Sequence, residues 1–148
     1  MMLMLHRCVR TLKFMLNWNN EPIIMPKSLY TSKTLRKLVL RGKILVDVPC
    51  GVYLPSLYQL NLSSVVYKDQ DSHDRLLSSC PVLKDLYVCR ADDVDDNVRQ
   101  FTVKVPSLLS LVYLGTFFRK DDDGSLVIDT PDLTRLEIMD GFGHSLLY

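Results

Sequence analysis

A six-residue pattern recurs at nearly constant spacing along the chain. Its copies are Leu35-x-x-Leu38-x-Leu40, Leu57-x-x-Leu60-x-Leu62, Leu83-x-x-Leu86-x-Val88, Leu108-x-x-Leu111-x-Tyr113 and Leu133-x-x-Leu136-x-Ile138. They start 22, 26, 25 and 25 residues apart, and a weaker sixth copy, Val9-x-x-Leu12-x-Phe14, lies 26 residues before the first. Four of the five strong copies follow a Pro-x pair: Pro55-Ser56, Pro81-Val82, Pro106-Ser107 and Pro131-Asp132. Each copy is short and alternates apolar with variable positions, the signature of a half-buried strand. Such a strand cannot bury its apolar side alone, whereas stacked copies bury a continuous core. The proline has no N–H to donate, which suits the start of a strand and not the middle of a ladder.

A leucine pattern of this form at a period of about 20–29 residues is that of leucine-rich repeats. The expected fold is α/β: an irregular leucine-rich-repeat solenoid of about six repeats, with one parallel strand ladder, short helices and extended returns. One domain is expected over residues 1–148, with repeats near 9–14, 35–40, 57–62, 83–88, 108–113 and 133–138. The returns differ from one another. Asp71 to Cys80 reads as a short helix, capped by Asp71 or Ser72 and ended by Pro81. Lys43–Val48, Phe101–Val105 and Ser125–Ile128 read as short outer strands. Ala91–Asn97 and Arg119–Gly124 read as exposed loops. Many leucine-rich repeats place Asn or Cys three residues after the last leucine of the pattern. Here those places hold Lys43, Val65, Ala91, Thr116 and Gly141, so the turns must satisfy their backbone groups otherwise. The ends, Met1–Leu5 and Leu146–Tyr148, read as poor caps, which predicts a marginally stable isolated domain.

Composition narrows the class. Hydrophobic residues make up 47% and charged residues 24% of the 148, which argues against wholesale disorder. The formal net charge of +1 argues against a nucleic-acid grip by bulk charge. No apolar stretch is long enough to span a bilayer, and the N-terminus lacks the charge and cleavage pattern of a signal peptide. Cys8, Cys50, Cys80 and Cys89 form no C-x-x-C pair and suit a reducing compartment, so the expected location is cytoplasm or nucleus.

Candidate chemistry is sparse. Ser72, His73 and Asp74 are adjacent in sequence, whereas a hydrolytic triad is assembled by the fold, and they read as helix-start residues. Neither His6 nor His144 has an identifiable partner. His73, Cys80 and Cys89 lack the spacing and fourth ligand of a structural zinc site, and Cys80 reads as a core residue. Asp121-Asp122-Asp123-Gly124 puts Arg119 and Thr130 where a calcium loop needs acids. Asp92, Asp93, Asp95 and Asp96 lack the invariant glycine of such a loop. Asn61-Leu62-Ser63 fits a glycosylation pattern but falls inside an expected strand, and Gly141-Phe142-Gly143 is not a phosphate loop. No catalytic residue, cofactor or metal ligand is therefore expected, and the chain is not expected to be an enzyme.

What remains is a surface. By alternation three columns face outward from the ladder. The first is Lys37, Gln59, Asp85, Ser110 and Arg135. The second is Val39, Asn61, Tyr87, Val112 and Glu137. The third is Arg41, Ser63, Cys89, Leu114 and Met139. Contiguous exposed apolar residues suggest an interaction site. The candidate protein-binding residues are Tyr87, Cys89, Val112, Leu114 and Met139.

Several strings carry a family resemblance. They are Ser28-Leu29-Tyr30-Thr31-Ser32-Lys33-Thr34-Leu35, Val46-Asp47-Val48-Pro49, Leu54-Pro55-Ser56-Leu57 and Val65-Val66-Tyr67-Lys68-Asp69. Further on come Leu76-Leu77-Ser78-Ser79-Cys80-Pro81-Val82-Leu83, Phe101-Thr102-Val103-Lys104-Val105-Pro106-Ser107-Leu108 and Val127-Ile128-Asp129-Thr130-Pro131-Asp132-Leu133. Together they resemble the repeat region of plant F-box/FBD/LRR-repeat proteins, over roughly residues 6–140. In that family an F-box docks on the adaptor subunit of a cullin–RING (SCF-type) ubiquitin ligase, the repeats present the substrate, and an FBD domain follows. Neither flank is expected in this chain. The resemblance therefore implies a non-catalytic protein-binding module, the substrate-recognition arm of such a ligase, with an unknown protein as partner. Nucleic acid and membrane are not expected partners, and the adaptor is one only if an F-box lies upstream. The alternative is an F-box-less scaffold or competitor, or a truncated paralogue, not coupled to ubiquitination.

Overall fold

The computed structural model describes residues 8–17, 21–90, 95–115, 125–139 and 145–147. In chain order the elements are β1 (Thr11–Met15), β2 (Ile23–Ile24), a 3-10 turn (Lys27–Thr31), β3 (Lys37–Arg41), β4 (Ile44–Val46), β5 (Gln59–Ser63) and β6 (Val66–Tyr67). Then follow α1 (Gln70–Ser78), β7 (Asp85–Cys89), β8 (Gln100–Lys104), β9 (Ser110–Leu114), β10 (Ser125–Asp129), β11 (Arg135–Met139) and β12 (Ser145–Leu147).

The six pattern copies form the six parallel strands β1-β3-β5-β7-β9-β11, and β12 adds to β11 in antiparallel sense. Register follows the repeat: Leu12, Leu38, Leu60, Leu86, Leu111 and Leu136 stand side by side, and so do Phe14, Leu40, Leu62, Val88, Tyr113 and Ile138. These two rows, with Leu35, Leu57, Leu83 and Leu108 ahead of the strands, line the interior. The returns build two further parallel sheets on the other side of that core, β2-β4-β6 and β8-β10, and α1 packs between β6 and β8. The chain is thus a leucine-rich-repeat solenoid whose returns are mostly strands.

The prolines act one step earlier than strand geometry alone suggests. In four copies the first leucine donates its N–H to the carbonyl three residues back: Leu57 to Leu54, Leu83 to Cys80, Leu108 to Val105 and Leu133 to Thr130. Each proline is the second residue of a closed β-turn, where its fixed φ is already correct. In the copy without proline, Leu35 N–H donates instead to the Ser32 hydroxyl at 3.3 Å, a side-chain imitation of the same turn.

Backbone groups beyond the strands are met by neighbouring turns, without an asparagine ladder. The N–H groups of Leu16, Gly42, Ser64, Arg90 and Gly115 donate to the carbonyls of Arg41, Ser63, Cys89, Leu114 and Met139. Gly42 is required for this: its φ is +98°, and any Cβ there would run into the Leu16 carbonyl.

Several expectations are corrected. The helix starts at Asp69, not at Asp71 or Ser72: the Asp69 carboxylate accepts the Ser72 N–H at 2.8 Å. Ser72 is the third helical residue, and both it and His73 are fully buried. Within the loop expected to be exposed, Asp96 is buried, because Arg90 reaches back to it. Leu146 and Leu147 belong to β12, which covers the last ladder edge; a strand so placed removes unpaired backbone from solvent. Cys80 is in the core as expected. The expectations placed on Met1–Leu5, His6, Asp92, Asp93, Arg119–Gly124, Gly141–Gly143, His144 and Tyr148 lie outside the described residues.

Candidate protein-binding face

The three columns read from alternation all sit on the face opposite the core, in the expected register. Thr11, Lys13 and Met15 of β1 extend them by one strand. Because neighbouring strands are about 4.8 Å apart, side chains of one column touch or nearly touch. Tyr87 and Val112 are direct register partners, as are Cys89 and Leu114, and Leu114 and Met139. All five candidates are half-buried and not fully open. The face is a shallow concavity of about 580 Å³ whose wall includes Lys13, Val39, Arg41, Tyr87 and Val112. Cys89, Leu114 and Met139 stand beside it, at the strand ends. Burial also pushes the Tyr87 phenol above its ordinary value.

The two halves of the face differ. On β1 and β3, Lys13, Lys37 and Arg41 surround Val39, which is only 8% exposed although it points outward. Lys13 and Asn61 are its register partners on the two neighbouring strands, and Lys37 and Arg41 flank it on its own, all with side chains long enough to shield it. On β5 to β11 the polar groups are satisfied among themselves. Gln59 Nε2 donates to Asp85 at 3.4 Å, the Ser63 hydroxyl donates to Asn61 Oδ1 at 2.7 Å, and Arg135 pairs with Glu137 at 2.7 Å. Asn61, the glycosylation candidate, is thus engaged within the ladder.

The titratable groups of the interior serve the core. His73 Nε2 lies 3.0 Å from the Thr102 carbonyl, and its ring meets Tyr67 edge-on at 5.1 Å and Phe101 at 4.1 Å. Burial holds its basicity below the ordinary histidine value. Arg90 caps this aromatic group, its guanidinium 5.0 Å above the Phe101 ring, and is gripped by Asp96. Burial is the largest influence on Arg90 and works against its charge, but the hydrogen bonds and charge of Asp96 together with the Tyr113 hydroxyl outweigh it and raise its basicity. Burial pushes the Cys80 thiol up to about 11. Ser72 and His73 are buried while Asp74 is exposed, so the three do not converge. Among the described residues no group of three or more His, Cys, Asp or Glu side chains could hold a metal ion. Nor is any helix among them long and apolar enough to cross a membrane. Sequence reasoning missed the Arg90–Asp96 pair; an Arg six residues before an Asp at the end of an acidic loop was its sole signal.

The comparisons with known proteins agree with this architecture. The family described as "FBD-associated F-box protein At5g56370, LRR repeats" matches residues 2–145. The F-box/FBD/LRR-repeat protein At3g49480 of Arabidopsis thaliana is 61% identical over 142 residues, covering 93% of this chain and 32% of the relative. The FBD-associated F-box protein At1g05080 of the same plant is 48% identical over 134 residues, 89% of this chain and 30% of the relative. A third Arabidopsis relative, the F-box/FBD/LRR-repeat protein At1g22000, is 44% identical over 160 residues, 96% of this chain and 34% of the relative. No solved structure matches the chain. The chain spans about a third of the length of these curated relatives. With its ladder, its turn prolines and nearly its whole length matched by one family, the chain belongs to the leucine-rich-repeat region of the FBD-associated F-box proteins.

Proposed function

We propose that the chain is a non-catalytic protein-binding module that serves as the substrate-recognition arm of an SCF-type ubiquitin ligase, in the cytoplasm or nucleus. The observation that carries this reading is the open face of the ladder, six parallel strands wide, with Tyr87 beside Val112 and Cys89, Leu114 and Met139 in one row. A repeat array commonly binds through such a surface. Apolar residues half-exposed in register supply the kind of centre that dominates binding energy when covered. The family context supports coupling to ubiquitination, since the relatives are named for an F-box.

The test is affinity purification of the gene's product carrying either wild-type repeats or Leu114→Asp with Met139→Asp. The expected result is that the ligase adaptor accompanies both forms, while a ubiquitinated protein accompanies only the wild type. Retention of every bound protein by the double variant would refute the face as the binding surface. Absence of the adaptor from both would refute the coupling to the ligase.

A further inference from the structure

The solenoid is electrically lopsided. Residues 1–68 hold ten Lys and Arg against two Asp and Glu, whereas residues 69–148 hold eight against fifteen. The imbalance reaches the open face. Lys13, Lys37 and Arg41 converge there from adjacent strands, and none has an ion pair among the described residues. Of the acids on the same face, Glu137 is paired with Arg135, and Asp85 accepts a hydrogen bond from the neutral Gln59 amide and keeps its charge. These three cations around one covered valine form a positive region, and the partly apolar half, in which Asp85 and Glu137 outnumber Arg135, begins two strands away at Tyr87.

We propose that this face takes an acidic, extended segment of a partner protein, its carboxylates against Lys13, Lys37 and Arg41 and an apolar side chain against Tyr87 and Val112. The proposal rests on the binding function above and specifies the class of partner. Charge complementarity selects the acidic end and fixes the direction of the segment across the ladder. Every interior ladder strand is already paired on both sides, so recognition proceeds through side chains and not by strand addition. The six strands span ~24 Å at the usual spacing, which an extended segment of about seven residues crosses. Nucleic acid fits less well, because the half of the face beyond the cations has one tyrosine and no row of aromatic rings on which bases could stack.

The experiment pans the 148-residue chain against a random, about twelve-residue, displayed peptide library. It then measures the selected peptides by fluorescence anisotropy against the wild type, the charge-reversed variant (Lys13→Glu, Lys37→Glu, Arg41→Glu) and Leu114→Asp with Met139→Asp. Both variants are first checked for an unchanged circular dichroism spectrum. The expected selection is rich in Asp and Glu on one side of a single Trp, Phe or Leu. Affinity should fall at least tenfold on charge reversal and weaken steadily with added salt. Selected peptides that are not acidic, or acidic ones indifferent to the reversal, would overturn the proposal. If they still lose affinity with Leu114→Asp and Met139→Asp, the binding function survives; if neither variant matters, both fall. A single-stranded twelve-nucleotide RNA bound more tightly than any acidic peptide, through the same cations, would also overturn it.

Discussion

Ser72 of α1 and Val48, twenty-four residues earlier, are joined by one buried hydrogen bond, the Val48 N–H donating to the Ser72 hydroxyl at 3.2 Å. From the next helical turn, Arg75 donates to the Val48 carbonyl, also at 3.2 Å. The helix therefore clasps both backbone polar groups of one residue, Val48, in the return after β4. Ser72→Ala leaves the Val48 N–H without a partner inside the protein and should cost about 1–3 kcal/mol. Urea unfolding of the two proteins measures it directly.

A second prediction concerns Arg90 and Asp96. Two guanidinium nitrogens meet the two carboxylate oxygens at 2.7 and 2.8 Å, and little of either side chain reaches solvent. Removing the acid alone strands a charge, so Asp96→Ala should destabilise by about 3–5 kcal/mol. Replacing both, as Arg90→Met with Asp96→Leu, should cost far less, because no charge is left uncompensated. A denaturation cycle over Arg90→Met, Asp96→Leu and their double variant decides between the pair as a requirement and the pair as a filler of space.

The third follows from His73. Burial disfavours its protonated form, so its folded value lies below the ordinary 6.5. Above pH 6.5 neither folded nor unfolded chain carries the proton, and stability is full. As the pH falls below 6.5 the unfolded chain takes up a proton that the folded chain resists, and stability declines until the folded value is passed. The urea midpoint should therefore drop between pH 7 and pH 5. In His73→Gln, which keeps a donor for Thr102, that drop should be smaller; an equal drop would assign the effect to other groups.

The cysteines give the fourth. Cys8 and Cys50 are exposed, Cys89 is half-buried, and Cys80 is enclosed with its thiol pushed up to about 11. Thiolate, not thiol, reacts with disulfide reagents. At pH 8 a chromogenic disulfide should titrate Cys8 and Cys50 rapidly and Cys89 more slowly. Cys80 should react only after denaturant is added, and Cys80→Ser should remove that last step.

The ladder was legible because its signal is redundant: five copies, a constant offset and alternating polarity all specify the same register. The candidate face followed from that register, down to Tyr87 beside Val112. What was hidden depended on residues distant in sequence or on single atoms. Asp69 caps the helix through the Ser72 N–H, while the Ser72 hydroxyl accepts from Val48, a partner far away in sequence. Asp96 sits in an acidic run that reads as solvated until Arg90 is placed next to it. Val39 carries an outward position and is nonetheless buried, between Lys13 and Asn61 on the neighbouring strands. β12 is too short to announce itself by alternation, and its role depends on the edge of β11.

The returns set the curvature of the whole array. Strands on the outer side, as in β2-β4-β6, advance by about the same 4.8 Å per repeat as the ladder itself, so those coils stack nearly straight. A helix is about 10 Å across, and α1, the one α-helix among the described residues, packs between β6 and β8. An element twice as wide as the strand spacing is expected to spread the outer side at the level of β5 and β7. At that level the cationic half of the open face gives way to the apolar half, so a bend placed there would tip the two toward each other.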